Sequence, residues 1–303
     1  MNSSRLTTIA TCILLTNIVY TNTIAEQIQE VNIGLYLKKE TLNKKVVFVG
    51  NSGNAGDALI WYGTKCLFKS IGLPVIASDN HQAIMSADIV MYSGGGCLVP
   101  YYSWGSSFVE KYAPKVKTLI ILPQTIRGNE KLLKKLPSNV ILFCRDISSY
   151  KHCKKLVPFP KNILFSKDLA FYSDLTRYKN VQPTNKVLYA FRSDIEVNSA
   201  RTNIKLPASN KDLSSYGSID ASTSLATNMK TVRAFLQPIA QAEEVWTDRL
   251  HVGIAAFMLG KKVHLFDNSY GKNKAIYDCT IFKLDTSKNV NFHGNDFSLL
   301  KDK

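Results

Sequence analysis

The stretch Val46 to Asp57 reads VVFVGNSGNAGD, and it decides the fold. Its first four residues form an unbroken apolar run, which is typical of a strand buried on both faces of a parallel sheet. Glycines at 50, 53 and 56 allow a tight turn, and the helical pattern ALIWYGTKCLFKSIG follows at once. The stretch therefore predicts a strand, a turn and a helix, with Asp57 capping free N–H groups at the helix start.

The spacing of these glycines bears on the ligand. It is G-x-x-G-x-x-G, which differs from the G-x-G-x-x-G of dinucleotide-binding turns. Asp79 follows the next predicted strand, at about the place of a ribose-binding acid, and this keeps a nucleotide site open as an alternative. Asp57 counts against that alternative, because its charge would repel a pyrophosphate.

Strands and helical stretches alternate along the rest of the chain. We expect strands at LPVIAS, SADIVMYSGG, VKTLIILPQ, NVILFCRD and NILFSKD, and a helix at SSYKHCKKL. After a polar stretch at 174–185 the pattern restarts, with strands at KVLYAFRSDIE, EEVWTD and KKVHLFDN and helices at TNMKTVRAFLQPIAQA and LHVGIAAFMLG. Residues 198–224 are expected to form a loop. The pattern predicts an α/β chain with two Rossmann-like domains facing a central crevice, a GT-B-like arrangement, at 40–175 and 186–303.

The totals agree with a globular protein that meets anions. The chain has 303 residues, of which 45% are hydrophobic and 20% charged, enough for two α/β domains. Its 38 Lys and Arg against 23 Asp and Glu give a formal charge of +15, which favours anionic partners. The basic residues are scattered, with no basic arm, so we expect no nucleic-acid partner.

The N-terminus, residues 1–25, resembles a secretory signal. Arg5 precedes an apolar stretch from about Leu6 to Tyr20, and Thr23 and Ala25 supply the small residues of a cleavage site. We expect a cleaved signal peptide and a protein of the secretory pathway, in the Golgi or secreted. Membrane anchoring through this segment is the alternative, and a cytoplasmic protein follows if the segment is no signal.

The cysteines give no sign of a metal site. Beyond the N-terminal segment five cysteines remain, and none is spaced as C-x-x-C, so we expect neither a structural zinc nor a closed disulfide framework. Pairing of Cys144 with Cys153 stays open. No His, Asp or Glu cluster has ligand spacing, and we expect no metal and no cofactor.

Arginines follow three of the predicted strands. Arg127 comes after TLIILP, Arg145 after VILFC and Arg192 after VLYAF. Each arginine alone fits a loop ion pair. Because the carboxyl ends of parallel strands open on one crevice, the three together predict an anion-binding site, since Arg binds carboxylate and phosphate bidentately.

A glycine triplet ends the third predicted strand and precedes CLVPYYSWG. Gly95 and Gly96 would let a ligand approach the backbone closely, and Tyr101, Tyr102 and Trp104 would form a platform for a sugar ring. The alternative is a turn with surface aromatics.

The stretch Thr247 to Gly260, TDRLHVGIAAFMLG, places charges at the start of a helix. Asp248, Arg249 and His251 fall on the turn and the first helical turn, where free N–H groups and the positive end of the helix dipole favour an anion. A simple N-cap with a surface ion pair is the alternative. DNSYGKNK follows the next strand, so Lys272 and Lys274 would add positive charge at the same crevice.

These motifs together resemble the polysaccharide pyruvyl transferase family. The resemblance runs from about Val46 to Asp278 and is carried by GNSGNAGDALIW, DIVMYSGGG, ILPQTI, CRDISSY, AFRSD, TDRLH and LFDNSYGKNKAIYD. It implies a two-domain transferase that moves a pyruvyl group from phosphoenolpyruvate to two hydroxyls of a sugar, as a ketal, and releases phosphate. Bacterial members that modify cell-wall polymers are usually cytosolic, whereas this chain begins with a signal-like segment.

The resemblance implies that Arg249 and His251 are donor-binding and catalytic residues, and the same holds less directly for Asn54, Asp57 and Arg192. The other roles follow from the residue types and the chemistry of the transfer. We expect His251 as general acid, with Asp57 or Asp248 as base. The residues expected to bind the donor are Arg249, Arg192, Lys272, Asn54 and Arg145. The residues expected to bind the acceptor, a galactose-type sugar, are Gly95, Gly96, Tyr101, Trp104, Asn268 and Tyr270.

Three other functions remain open from the sequence. A nucleotide-sugar glycosyltransferase usually uses a Glu of its C-terminal domain, and no Glu follows Glu244. A glycan-binding homologue without activity would keep the same residues for a time. A dehydrogenase is disfavoured by the glycine spacing.

Overall fold

A computed structural model describes residues 28–219 and 225–301. The predicted signal peptide or anchor lies outside the described residues. Within them, no helix is both long enough and apolar enough to cross a bilayer.

The described chain alternates strands with helices. In chain order the strands are β1 (Val46–Val49), β2 (Gly53–Asn54), β3 (Ile76–Ala77), β4 (Ile89–Tyr92), β5 (Gly95–Leu98), β6 (Leu119–Ile126), β7 (Val140–Cys144), β8 (Ile163–Phe165), β9 (Asn185–Ala190), β10 (Ser218–Ile219), β11 (Ala242–Thr247), β12 (Lys262–Phe266) and β13 (Val290–Gly294). The α-helices are α1 (Ile33–Glu40), α2 (Ala55–Ser70), α3 (His81–Met85), α4 (Trp104–Tyr112), α5 (Glu130–Leu133), α6 (Ile147–Leu156), α7 (Thr176–Lys179), α8 (Leu225–Ala240), α9 (Leu250–Met258), α10 (Lys272–Ile276) and α11 (Phe282–Leu284). Short 3-10 turns lie at Leu169–Tyr172, Ser199–Arg201, Leu213–Tyr216 and elsewhere.

Two parallel sheets form the framework. The first has the order β3-β1-β4-β6-β7-β8, and β5 pairs with the end of β6. The second has the order β13-β12-β11-β9, with every neighbouring pair parallel. The predicted α/β class and its parallel strands are therefore confirmed.

The two sheets are joined through α2. This helix packs against α8 and α9, and β2 at its start pairs with β10 from the second half of the chain. Gly63 of α2 lies in direct contact with the backbone carbonyl of Leu169, so only a residue without a Cβ fits there. One buried apolar cluster contains Phe48 of β1 and Leu265 of β12, so the halves share a core.

The predicted elements agree with the observed ones where the apolar pattern is long. α2, α6, α8 and α9 lie where their patterns predicted them, and each predicted strand overlaps an observed one. LPVIAS contributes only two strand residues. β5 was not predicted, because Gly94–Gly96 has the composition of a turn, and neither were β2, β10 and β13. No disulfide joins the five cysteines within the described residues.

Candidate active site

A cavity of about 380 Å³ lies between the carboxyl ends of the two sheets. Turns that follow β1, β4 and β7 form one wall, and turns that follow β9 and β11 form the other. This is the place where open α/β sheets bind ligands.

His251 lies in the first turn of α9 and lines this cavity. Its Nε2 atom is buried, has no hydrogen-bond partner among the described residues, and lies 3.6 Å from Asp168 Oδ2. A carboxylate next to an imidazole orients the ring. The arrangement gives His251 the surroundings of a general acid.

Asp168 is fixed from the first half of the chain. Its Oδ2 atom accepts a 2.6 Å hydrogen bond from Arg145 Nη1, and its Oδ1 atom accepts one from the Ala170 N–H at 2.7 Å. Burial raises the pKa of Asp168, but Arg145 and His251 outweigh burial and hold it well below its usual range. The carboxylate is therefore charged. The sequence offered one signal for it, because Asp168 follows β8 as the arginines follow their strands.

The N-terminus of α9 is open to the cavity. Its N-cap residue is Arg249, which makes no side-chain hydrogen bond to the helix, and Leu250, His251 and Val252 all line the cavity wall. Free N–H groups and the helix dipole attract an anion there. Gly253 lets α9 approach β12, since a Cβ would lie 3.0 Å from Leu265 Cδ1.

The predicted donor-binding cations line the cavity, and each is already paired. Arg192 contacts Asp194 at 2.9 Å and Glu196 at 2.8 Å, and Lys272 Nζ donates to Glu196 at 2.7 Å. Burial raises the pKa of Glu196, but the positive charges of Lys272 and Arg192 lower it by more than burial raises it, so Glu196 is ionised. Burial lowers the pKa of Lys272, and Glu196 opposes that shift. Sequence reasoning missed Glu196, which itself lines the cavity.

Arg249 is held by two carboxylates. Its Nε and Nη2 atoms donate to Asp212 at 2.9 and 2.6 Å, and Nη1 donates to Asp194 at 2.6 Å. Arg249 lines the cavity as predicted. Because its charge is balanced, it offers oriented donors rather than a surplus of positive charge.

The two predicted bases differ in position. Asp57 lines the cavity, and its Oδ2 atom accepts the N–H of Asn54 at 2.9 Å. Asp248 is fully buried outside the cavity wall, and its oxygens accept from the Arg192 N–H at 2.8 Å and Arg201 Nη1 at 2.7 Å. Burial raises the pKa of Asp248 to about 6, although Arg201 lowers it. This position contradicts a direct role for Asp248 as base: it cannot touch a substrate in the cavity.

Of the remaining residues that the sequence suggested for ligand binding, two line the cavity and two do not. Arg145 reaches the cavity although only 1% of it is exposed. Asn54 lines the cavity, but its side-chain oxygen accepts the N–H of Gly56 at 2.8 Å. Arg127 does not line the cavity and pairs with Asp146 at 3.2 Å. Asp79 is exposed away from the cavity, which weakens the nucleotide alternative.

Among the predicted acceptor residues, Gly95, Gly96 and Trp104 line the cavity, and Tyr102 lines it as well. The ring centres of Tyr102 and Trp104 lie 4.6 Å apart, and the two rings form an aromatic rim at the cavity. The Tyr102 hydroxyl donates a 2.8 Å hydrogen bond to Glu196, so this rim is linked to the second half of the chain.

Three predicted acceptor residues are not among those that line the cavity. Tyr101 is 43% exposed and its hydroxyl lies 3.3 Å from Ser269 Oγ. Asn268 is buried and bonded to Glu196 and to the Lys272 N–H, so it supports the turn rather than meeting a ligand. Tyr270 packs 5.6 Å from the ring of Tyr101.

Comparison with known proteins matches the chain to one family. The model of the family described as polysaccharide pyruvyl transferase matches residues 54–270, the span that contains most of the residues that line the cavity. The chain belongs to the polysaccharide pyruvyl transferase family. The resemblance drawn from the motifs is thereby confirmed.

Two relatives agree with this assignment. A Bacillus subtilis (strain 168) protein named "Putative pyruvyl transferase EpsO" is 28% identical over 269 residues, which cover 73% of this chain and 80% of that protein. The crystal structure of an uncharacterised Klebsiella pneumoniae protein is 31% identical and has a TM-score of 0.74, over 86% of this chain and 96% of the other. As a polysaccharide pyruvyl transferase, the protein is a transferase enzyme that acts on polysaccharide. Within the described residues, no three His, Cys, Asp or Glu side chains are grouped so as to hold a metal ion.

Proposed function

We propose that the protein transfers the pyruvyl group of phosphoenolpyruvate to two hydroxyls of a glycan sugar, as a ketal, and releases phosphate. One observation carries the proposal: His251, backed by the charged Asp168, stands at the open N-terminus of α9 within a cavity lined by buried cations. Phosphoenolpyruvate carries a carboxylate and a phosphate, and both need oriented donors. No further cofactor takes part.

Oriented N–H donors contribute more to binding of phosphoenolpyruvate than the net charge of the cavity does. Arg192, Lys272 and Arg249 are each balanced by a carboxylate, so the cavity gains little from long-range attraction. Their fixed N–H groups and the N-terminus of α9 receive the phosphate without reorganising, which is how enzymes bind developing charge. Asn54 also lines the cavity, but its side chain caps α2.

The chemistry begins with a proton. His251 protonates the methylene carbon of phosphoenolpyruvate, and positive charge develops at C2 next to the retained carboxylate. A sugar hydroxyl attacks C2 and gives its proton to a base, for which Asp57 has the right place. The C2–O bond to phosphate breaks, phosphate leaves, and the second hydroxyl closes the ketal as it loses its proton. One hydroxyl proton replaces that lost by His251, and the other leaves on phosphate.

The acceptor enters over the aromatic rim. Trp104 is 48% exposed at the cavity edge and stands beside Tyr102, and Tyr101 extends the rim outward. Aromatic faces of this kind bind the apolar face of a galactose-type sugar.

We further propose a GT-B-like arrangement of two Rossmann-like domains, residues 40–175 and 186–303. The two parallel sheets and the cavity at their carboxyl ends support it. The signal-like segment at residues 1–25 supports an enzyme of the secretory pathway.

One assay tests the proposal. The full chain is incubated with phosphoenolpyruvate and a panel of galactosides, and phosphate release is measured with the mass gain of the acceptor. We expect equal amounts of both, and no product when one of the two acceptor hydroxyls is methylated. Transfer from a nucleotide sugar without phosphate release from phosphoenolpyruvate would identify a glycosyltransferase. Glycan binding without turnover would identify a binding protein.

A further inference from the structure

Tyr270 carries a hydroxyl that makes no hydrogen bond to the part of the chain that the structure describes. Its ring lies 5.3 Å from Lys272 Nζ and 5.6 Å from the Tyr101 ring, so packing fixes its orientation. The hydroxyl oxygen is buried and has no hydrogen-bond partner within the described part of the chain. Burying an unpaired hydroxyl costs free energy, so a hydroxyl left unpaired directly behind Gly96 of the cavity wall calls for a ligand. Burial also raises the pKa of Tyr270 far above its usual value, so the hydroxyl keeps its proton and can donate it.

Arg145 supplies a second unused donor at the same place. Its Nε atom donates to Thr125 Oγ1 at 2.9 Å and its Nη1 atom donates to Asp168 at 2.6 Å. Its remaining nitrogen, Nη2, makes no hydrogen bond to another described residue and lies at the cavity wall beside Gly96. A guanidinium fixed on two sides presents its third nitrogen in one direction.

Gly96 leaves a space between these two donors. A Cβ at this position would lie 3.4 Å from Arg145 Nη2 and 4.0 Å from the Tyr270 hydroxyl. The φ angle of Gly96 is outside the left-handed region, so the backbone does not require glycine here. The missing side chain therefore has a different effect: it leaves room at the cavity wall next to both donors.

We propose that Arg145, Tyr270 and the space at Gly96 bind the carboxylate of the donor. This assignment rests on the proposed function and divides the donor between two subsites. Arg145 and His251 both contact the same atom, Asp168 Oδ2. A carboxylate on Arg145 therefore places the methylene carbon, two bonds away from the carboxylate carbon, on the side of His251, where it is protonated. The phosphate then points to α9, Arg192 and Lys272.

This inference changes two assignments made from the sequence. Tyr270 and Gly96 bind the donor rather than the acceptor. It also makes Tyr270 a residue that determines specificity, because an enol phosphate without a carboxylate would leave its hydroxyl unpaired.

The variant Tyr270→Phe tests the subsite. It keeps the ring and its contact with Lys272 and removes only the unpaired hydroxyl. We expect the Kd for phosphoenolpyruvate, measured by calorimetry on the full chain, to rise by about 10-fold or more, as for a lost hydrogen bond to a charged group. The Kd for inorganic phosphate should stay the same, and the midpoint of unfolding should not fall.

Two further variants complete the test. Tyr62→Phe is the matched control: its hydroxyl donates to the carbonyl of Asp174 at 3.0 Å, away from the cavity wall. It should lower the midpoint of unfolding and leave the Kd for phosphoenolpyruvate unchanged. Gly96→Ala fills the space between the donors without a close backbone clash. It should raise the Kd for phosphoenolpyruvate as Tyr270→Phe does.

The outcomes separate the two proposals. Suppose that the unaltered protein binds and turns over phosphoenolpyruvate, and that Tyr270→Phe and Gly96→Ala bind it with the same Kd. That result would overturn the carboxylate subsite but not the proposed function. If the variants raise the Kd for inorganic phosphate as much as the Kd for phosphoenolpyruvate, the carboxylate subsite is also overturned, because these residues would then bind the phosphate. A lower midpoint of unfolding with unchanged binding assigns Tyr270 to packing only. Unaltered protein that neither binds nor turns over phosphoenolpyruvate overturns the proposed function, and the subsite with it.

Discussion

Two strand–turn–helix units face each other across the cavity, β1–α2 from the first sheet and β11–α9 from the second. At α2 the side chain of Asn54 accepts the N–H of Gly56, and Asp57 accepts the N–H of Asn54, which closes a reciprocal cap. At α9 the N-cap residue is Arg249, whose guanidinium turns to Asp194 and Asp212 and leaves the helix end uncapped. The same local architecture thus gives one closed helix end and one open one.

The difference shows that glycine content alone does not mark a ligand site. The turn before α2 is rich in glycine, but its own side chains satisfy the N–H groups that a ligand would use. The turn before α9 has no glycine, and Thr247 Oγ1 accepts only the N–H of Arg249 there. Because Arg249 makes no side-chain cap, the N–H groups of the first turn of α9 have no capping partner among the described residues and remain for a substrate. Of the two helix ends, the one at α9 therefore has the N–H groups that suit an anion, and the turn before α2 forms part of the opposite wall.

Removal of His251 should produce the largest effect. His251→Ala removes the proposed acid from the open helix end, and turnover of phosphoenolpyruvate should fall by about 10²–10⁴-fold. Phosphate release measures it. His152→Ala is the control, because His152 contacts the Gly128 carbonyl at 2.8 Å away from the cavity wall and should keep full activity. A folded His251→Ala protein with more than about a tenth of the turnover would exclude this residue as the acid.

Asp168→Asn tests the link between the two halves. It leaves the buried Arg145 without a counter-charge, and the free energy of unfolding should fall by about 3–5 kcal/mol, measured by denaturant titration. Turnover should also fall and its pH dependence should change, because His251 loses the carboxylate that orients it. Asp278→Asn breaks an exposed pair with Lys274 and should leave stability nearly unchanged. An unchanged pH profile for Asp168→Asn would contradict the positioning role.

Asp57→Asn separates capping from catalysis at the closed end. An amide oxygen still accepts the N–H of Asn54, so the free energy of unfolding should change by less than about 0.5 kcal/mol. Turnover should fall by about 10²-fold if the carboxylate takes the hydroxyl proton. Unchanged turnover would leave Asp57 as a cap only and would make the contrast between the two helix ends complete.

Acid should weaken the ion pair between Asp212 and Arg249 at the N-terminus of α9. Arg249 and the Ser214 hydrogen bonds lower the pKa of Asp212 from 3.8 to about 2, against burial, which raises it. Because the folded pKa is the lower one, this stabilisation is full above about pH 4 and is lost as pH falls toward 2. Between about pH 5 and about pH 3, Asp212→Asn should therefore lose less stability than the unaltered protein, by on the order of 1–2 kcal/mol. Parallel pH curves of the unfolding free energy for the two proteins would contradict it.

The smallest effect should come from Asn54→Ala. The variant opens the cap of α2 and should lower the free energy of unfolding by about 1 kcal/mol, with the Kd for phosphoenolpyruvate unchanged. Asn80→Ala is a matched variant, since Asn80 caps α3 in the same way. Should Asn54→Ala weaken phosphoenolpyruvate while Asn80→Ala does not, Asn54 would belong to the donor site as the sequence predicted.

The sequence predicted the framework well and the site in part. Long apolar runs such as those of β6 and α9 identify their elements, because their periodicity is a local property of the chain. Short pairings such as β2 with β10 have no such period and were missed. Among the site residues, His251 and Arg249 reach the cavity because a helix start fixes where its first residues lie.

By itself, then, the sequence determined the α/β class, the family and the turns that carry the charged residues. Only the tertiary structure decided which partner each charge meets: Asp248 turns inward to Arg201, whereas Asp168 meets His251 from the other half of the chain. It also decided that the hydroxyl of Tyr270 stays unpaired near Gly96 among the residues that the structure describes. The reason is physical. Periodicity places a residue on its element, but burial, pairing and pKa depend on atoms that distant segments bring within a few ångströms.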